Sequence, residues 1–257
     1  MNNFLQTFKV ELLKARRSRM LLFTALGFAM LPLGGGFFLI ILKDPEFARK
    51  VGLIGAKAQL TMGAADWPTY LNFLAMGIAA GGLVLSTLIG TWVFGREYSD
   101  HTIKDILALP TARSVIVMAK FGIIALWSVL LIIMINPLAL IVGSLIGLPP
   151  VPAGVMVQGA TLMLATGLLT LLTVTPFMFF ASYGHGYLAP VGVMFLALVL
   201  ANVMTIIGYG EYFPWSVAAV VAQGDPLSAT SLLIVILTCI AGVAGTLLWW
   251  KYADQTH

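Results

Sequence analysis

The sequence predicts an all-α membrane protein with six transmembrane helices. Hydrophobic residues make up 60% of the 257-residue chain and charged residues only 9%, with a mean hydropathy of +1.00. A water-soluble domain has about 25% charged residues, so this chain cannot cover a surface that faces water. Six apolar runs are each long enough to cross a bilayer core of about 30 Å. They lie at residues 20–42, 70–94, 115–146, 153–181, 188–208 and 230–250.

Each run is expected to be helical, because lipid offers no hydrogen-bond partner for an unpaired backbone group. Turn residues separate the runs. For example, residues 148–152, between the third and fourth runs, contain three prolines. Pro137 and Pro176 lie inside runs and should kink their helices. Asn136 and Thr175 precede them and could bond the freed carbonyl groups. We therefore expect a single transmembrane domain over residues 1–257.

The distribution of lysine and arginine predicts the orientation. With the N-terminus in the cytoplasm, ten of the fourteen basic residues lie inside, and both termini are cytoplasmic. The four on the outer side are Lys43, Arg49, Lys50 and Lys57. The sequence thus predicts a multi-pass protein of the cell membrane.

Residues 1–19 predict an amphipathic helix in the membrane surface, because apolar residues recur at helical spacing beside positive charges. The residues assigned to this membrane-surface helix are Phe4, Leu5, Phe8, Glu11, Leu12, Arg16 and Arg17. The alternative is an ordinary positive flank that sets the topology, and the two interpretations are compatible.

A charged loop follows the second run. Ser99 or Asp100 can cap a helix start, and apolar residues from Ile103 onward are spaced by three and four, including Leu107 and Leu109. Such a short amphipathic helix either lies on lipid or docks into a groove of a soluble partner. Its mixed charge favours a protein groove, since a lipid-bound helix would be richer in Lys and Arg.

Several kinds of chemistry are absent from the sequence. There is no P-loop, His-Glu-x-x-His or Gly-x-Ser-x-Gly motif, so we expect no catalytic or metal site and no bound cofactor. His185, between two glycines, reads as a turn residue. Cys239 is the only cysteine and reads as a core residue. Nucleic acid is not an expected partner.

Ionisable groups are also scarce in the apolar runs. None carries Asp, Glu or Arg, and Lys120 lies near a helix end, where it is expected to snorkel to the interface. This argues against a proton-driven carrier. The polar amides Asn136, Gln158 and Asn202 are expected either to bond between helices or to line a substrate path. Residues 210–222 predict a short outer helix or re-entrant turn before the last span.

The charged loop resembles that of type-2 ABC exporter permeases. That family has Glu, three residues, Gly-Thr, a hydrophobic helix and Pro-x-Ser-Arg. This chain has Glu97 through Thr102, then residues 103–109, then Pro110 through Arg113, with His101 and Ala112 in the Gly and Ser positions. Residues 8–14 resemble the N-terminal elbow helix. If the glycine position needs a positive φ, His101 should cost stability.

The resemblance implies a permease that pairs with a second permease, either an identical copy or a paralogue, and binds a cytoplasmic ABC ATPase. ATP and magnesium would be held by that ATPase. The loop helix would be the coupling helix, with contact residues Glu97, Asp100, Thr102, Ile103, Lys104, Asp105, Ile106 and Leu107. The size of the chain resembles permeases that export peptide antibiotics. The alternatives are an ATP-independent carrier or channel, and a sensor or assembly subunit that transports nothing.

Overall fold

The computed structural model describes residues 2–43, 64–108 and 110–252, apart from the side chains of Asn2 and Leu107. This part of the chain is helical and contains no strand, which confirms the predicted fold class. The predicted outer-loop positions Arg49, Lys50 and Lys57 and the helix position Leu109 lie outside the described residues.

Six helices in the described part are long and apolar enough to cross a membrane. The second is interrupted by a π-helical segment and is treated as two helices. In chain order the helices are α1 (Asn2–Arg16), α2 (Met20–Lys43), α3 (Trp67–Gly77), the π segment (Ile78–Gly82), α4 (Leu83–Ser99), α5 (Ile103–Leu107), α6 (Arg113–Leu145), α7 (Ala153–Tyr183), α8 (Leu188–Ile206), α9 (Pro214–Ala222) and α10 (Ala229–Tyr252).

The second span is longer than predicted. It continues through the charged residues to Ser99, whereas the apolar run ends at Phe94. Helix α4 can carry Glu97 in its last turn because that side chain is paired inside the protein rather than exposed to lipid. The charged loop therefore begins as a continuation of a spanning helix.

Helix α7 lies at the centre of the bundle and packs against α3, α4, α9 and α10. The carbonyl that Pro176 leaves without a backbone partner has a side-chain partner, as expected. Pro176 has no N–H, and the Thr175 hydroxyl donates to the Leu172 carbonyl at 3.0 Å. The same hydroxyl lies 3.2 Å from the Cys239 carbonyl of α10, so the kink also joins two helices.

The short helix α9 is buried against this core. The indole N–H of Trp215 donates to the Thr173 carbonyl at 2.9 Å, about two thirds of the way along α7. Its ring stacks on Phe177 with centroids 5.7 Å apart. Tyr212, by contrast, is exposed. Helix α9 therefore re-enters the bundle instead of covering its rim.

Candidate functional site

Four charged side chains meet inside the end of the bundle where α1 lies, here called the α1 end. Lys120 of α6 is fully buried, and its Nζ lies 2.7 Å from Glu97 Oε1 of α4 and 3.4 Å from Glu11 Oε2 of α1. Lys14 of α1 lies 2.8 Å from Glu11 Oε1 and 3.0 Å from Glu97 Oε1. These four residues form the four-charge cluster, which joins three helices and has no net charge.

The position of Lys120 corrects a sequence prediction. Lys120 was expected to snorkel to the interface, but its ammonium group donates to the Val93 carbonyl at 2.9 Å and pairs with both glutamates. Two carboxylates within reach make the buried pairing more favourable than stretching toward water. A spanning helix therefore carries a buried ion-pair centre in place of a lysine that reaches water.

Glu11 and Lys14 are held ionised by their neighbours. Burial alone would raise the pKa of Glu11, but Lys120 and Lys14 outweigh it and keep that pKa below its usual value. Burial would likewise lower the pKa of Lys14, but Glu97 and Glu11 outweigh it and raise that pKa above its usual value. Glu11 and Lys14 are therefore charged around neutral pH, and their ion pairs fix α1 to the bundle in addition to its packing.

Glu97 also shapes the turn after α4. Its backbone carbonyl accepts a hydrogen bond from Thr102 N at 2.9 Å. His101 inside this turn has a φ of 55°, a left-handed conformation that glycine adopts most easily. One residue thus holds the four-charge cluster with its side chain and the start of α5 with its backbone.

Helix α5 packs part of its apolar side against the chain's own helices. Ile103 is buried and Ile106 is half-buried there. Lys104 and Asp105 are exposed, as is Thr102 in the preceding turn. Among the described side chains of α5, the exposed ones are therefore polar, and Ile103 and Ile106 anchor the helix to the bundle.

The far end of the charged loop is attached to the last span. Arg113, at the start of α6, donates from Nη1 to the Trp250 carbonyl at 3.0 Å. Trp250 is fully buried, and its indole N–H donates to the Ser182 hydroxyl of α7 at 3.0 Å. Both ends of the loop are thus held by spanning helices, one by the four-charge cluster and the other by this chain of hydrogen bonds.

A family model described as ABC-2 family transporter protein matches residues 7–202. The chain belongs to the ABC-2 transporter family. The match begins within α1 and ends within α8, so it includes all four members of the cluster and helix α5. The resemblance inferred from the charged loop is confirmed.

A curated relative supports the same assignment. The bacitracin transport permease protein BCRB of Bacillus licheniformis is 25% identical over 181 residues, which cover 67% of this chain and 85% of the relative. Together with six spanning helices, these matches identify the membrane-spanning permease subunit of an ABC exporter. Membership of the family implies an ATPase partner and a membrane environment.

In this ABC-2 permease, α1 is divided between two surroundings. Leu5 and Leu12 are exposed on one side, as a helix in the membrane surface requires, and Phe4 is exposed as well. Phe8, at the edge of the same face, is half-buried, and its ring lies against Gly122 of α6, where an added Cβ would approach it to 3.0 Å. Arg16 and Arg17 are exposed.

Two predicted side chains have surroundings unlike those of an open contact surface. Glu11, placed with the membrane-surface residues, is buried against α6, and Glu97, placed with the partner-contact residues, is also buried. The available sequence signal was Lys120 itself, since a lysine seven residues into a spanning helix either reaches water or pairs with an anion. Sequence alone did not identify which anions.

The amides Asn136, Gln158 and Asn202 make no hydrogen bond to one another in the described part of the chain. Gln158 is exposed, and Asn202 is exposed with its amide donating to the Leu198 carbonyl of its own helix at 2.9 Å. Asn136 Oδ1 is buried without a hydrogen-bond partner in the described structure. Among the described residues, no group of His, Cys, Asp or Glu is placed to hold a metal ion.

Proposed function

We propose that this permease forms the translocation path of an ATP-driven exporter and takes its energy from a separate ABC ATPase. The ATPase would bind ATP and magnesium, and the permease itself would catalyse no reaction. A second permease, identical or paralogous, would complete the path. The whole of residues 1–257 would act as one transmembrane domain.

The observation that carries this proposal is the double role of Glu97. A force applied to the exposed face of α5 passes through the Thr102 N–H bond to the Glu97 carbonyl and then along α4. The Glu97 carboxylate passes it to Lys120 of α6 and Lys14 of α1. Three helices are thereby linked to one short surface helix, which is what an energy-coupling contact needs.

The proposed contact surface is narrower than the sequence suggested. Lys104 and Asp105, with the preceding Asp100 and Thr102, are the exposed members of the predicted set. We propose that these touch the ATPase directly, while Ile103 and Glu97 position them from within. The Leu107 side chain remains part of the predicted contact set without a described position.

The proposed orientation places the α1 end of the bundle and both termini in the cytoplasm. The balance of Lys and Arg supports this, because most basic residues lie at that end. An ATPase that binds cytoplasmic ATP would then meet α5 directly. The printed name of the bacitracin relative supports a peptide antibiotic, or a similar amphipathic compound, as cargo.

The test is co-purification and export with a co-expressed ABC ATPase. Reversing both exposed charges, Lys104→Glu with Asp105→Arg, should reduce co-purification and ATP-dependent export together. Arg19→Glu is the matched control, because Arg19 is exposed at the same end but lies outside the coupling loop. Glu97→Gln should leave the complex largely assembled and reduce export. Intact complex and export in the charge-reversed permease would disprove the coupling assignment.

A further inference from the structure

A basic cleft opens beside the four-charge cluster. It lies between the end of α1, the last turns of α4 and the turn before α8, with a volume of about 540 Å³. The side chains that matter for its chemistry are Lys14, Arg17 and Arg96 as cations, and Leu13, Trp92 and Tyr187 as apolar or aromatic walls. Asp100 also lines it.

The cations of this basic cleft are only partly neutralised. Lys14 is committed to Glu11 and Glu97 at 2.8 and 3.0 Å. Arg96 uses its Nε on Asp100 at 3.1 Å and lies over the Trp92 ring, 5.2 Å from its centroid. Arg17 is exposed and has no side-chain hydrogen bond or ion pair with any described residue. Two guanidinium groups therefore retain donors for an anion.

The cleft combines this charge with an apolar surface. Helix α1 ends at Arg16, and α2 begins at Met20 as a spanning helix, so Arg17 lies where the chain enters the membrane. Leu13, Trp92 and Tyr187 form the apolar wall of the cleft, and Leu22 and Phe23 are exposed in the first turns of α2. A ligand with an anionic head and aliphatic chains would place the head between the arginines and its chains along such a surface.

We propose that the basic cleft binds the phosphate of an anionic phospholipid, with Arg17 and Arg96 donating to its oxygens. Arginine suits this role because its planar fork bonds phosphate in a bidentate manner. The phospholipid would bridge α1 to α4 one residue before Glu97, and so reinforce the docking of α1. We propose a lipid over a free phosphate because Leu13, Trp92 and Tyr187 give the cleft an apolar wall that aliphatic chains can cover.

The experiment is native mass spectrometry of the purified, delipidated permease titrated with phosphatidylglycerol or phosphatidylcholine, without any ATPase. The cleft variant carries Arg17→Gln and Arg96→Gln. The matched control carries Arg16→Gln and Arg19→Gln, which removes the same charge from exposed residues that do not line the cleft. Phosphatidylglycerol should bind the cleft variant at least about tenfold more weakly than wild type, whereas the control should bind as wild type does.

Two outcomes would overturn the proposal. Equal weakening in the cleft variant and the control would mean that surface charge attracts lipid without a site. Glycerol phosphate, which has the head but no chains, should displace the lipid only at much higher concentration. If glycerol phosphate displaces the lipid without needing a higher concentration, the site binds a free anion and the lipid proposal is wrong. Should the double variant unfold, Arg17→Gln alone keeps the Arg96–Asp100 pair and applies the same criteria. Because no ATPase is present, a negative result in this lipid-binding experiment says nothing about the proposed contact between α5 and the ATPase.

Discussion

Lys120 is a fully buried cation about 10 Å along the third spanning helix from its start. Moving such a charge out of water costs several kcal/mol, and only well-placed anions offset that cost. Glu97 Oε1 at 2.7 Å and Glu11 Oε2 at 3.4 Å are those anions. At this residue, stability and the path of coupling depend on the same contacts.

Replacing Lys120 alone should therefore destabilise the protein more than replacing Lys120 and Glu97 together. Lys120→Met leaves Glu97 and Glu11 buried with Lys14 as their only cation, and we expect a loss of about 3–5 kcal/mol in unfolding free energy. Adding Glu97→Leu should recover part of that loss. Thermal unfolding of the single and double variants in detergent measures the loss and its recovery.

The control for that experiment is Asp100→Asn, which breaks the exposed pair with Arg96. It should cost less than about 1 kcal/mol, because exposed ion pairs are screened by water. If Lys120→Met unfolds at the same temperature as wild type, the four-charge cluster does not contribute to stability.

The ionisation of Glu11 predicts a pH dependence. Its folded pKa is below the usual 4.5, so its contribution is present above pH 4.5 and is lost as pH falls through the lowered value. Lys14 has a folded pKa above 10.5, so its contribution is lost only as pH rises through that raised value. The Tm difference between wild type and Glu11→Gln should be constant between about pH 6 and pH 9, and should shrink below pH 4.5. A difference that grows on acidification would contradict this sign.

His101 predicts a gain in stability. A left-handed φ of 55° costs a non-glycine residue on the order of 1 kcal/mol, so His101→Gly should raise the Tm. Ala108→Gly is the matched control, because Ala108 is exposed with a φ of −77° and gains nothing from glycine. Unfolding temperatures of the two variants give the comparison, and a lower Tm for His101→Gly would exclude strain at this position.

At the scale of elements, α10 lies against the backbone of α7 at Thr175 and Pro176. A Cβ at Gly242 would lie 2.6 Å from the backbone carbonyl carbon of Thr175, so no side chain fits there. Gly245, one turn later, has only Phe179 Cδ2 nearby at 3.7 Å. At Pro176, α7 is thus held against α10 by a backbone contact as well as by the Thr175 hydroxyl.

Gly242→Leu should separate the two helices at this kink, lower the Tm by several degrees and reduce export. Gly245→Leu adds the same side chain to the same helix in ordinary contact distance and should be tolerated. Thermal unfolding and transport assays of the two variants in parallel provide the measurement. Equal behaviour of both would show that the close approach at Gly242 has no structural importance.

The spanning helices were predictable because long apolar runs leave a membrane chain few alternatives. The interfacial helix and the short helix after the second span were also predictable, from their periodic apolar residues and from the family resemblance. The side to which α5 turns was not, because a five-residue helix presents its apolar residues equally well to a partner or to its own protein.

The four-charge cluster could not be predicted from one sequence for a different reason. Lys14 and Glu97 are separated by 83 residues, and Glu11 and Lys120 by 109. Nothing in the local pattern pairs them, and near a helix end a lysine has the alternative of reaching water. Only the packing of α1 against α6 removes that alternative.

At the scale of the whole molecule, the proposed orientation predicts which positions a membrane-impermeant maleimide can reach. In a Cys239→Ala background, Tyr209→Cys lies on the exposed turn after α8 and should be labelled in intact cells. Asp105→Cys lies on exposed α5 and should be labelled only after permeabilisation. The reverse pattern would place α5 outside the cell and exclude contact with a cytoplasmic ATPase.

The four-charge cluster also constrains the order in which the protein is made. Helix α1 is synthesised before α4 and α6, since Glu97 follows Lys14 by 83 residues and Lys120 follows Glu11 by 109 residues. Until the third spanning helix has been inserted, Glu11 has only Lys14 beside it. We therefore expect α1 to lie in the membrane surface through Leu5 and Leu12 during synthesis, and to dock against the bundle only after Lys120 has been inserted.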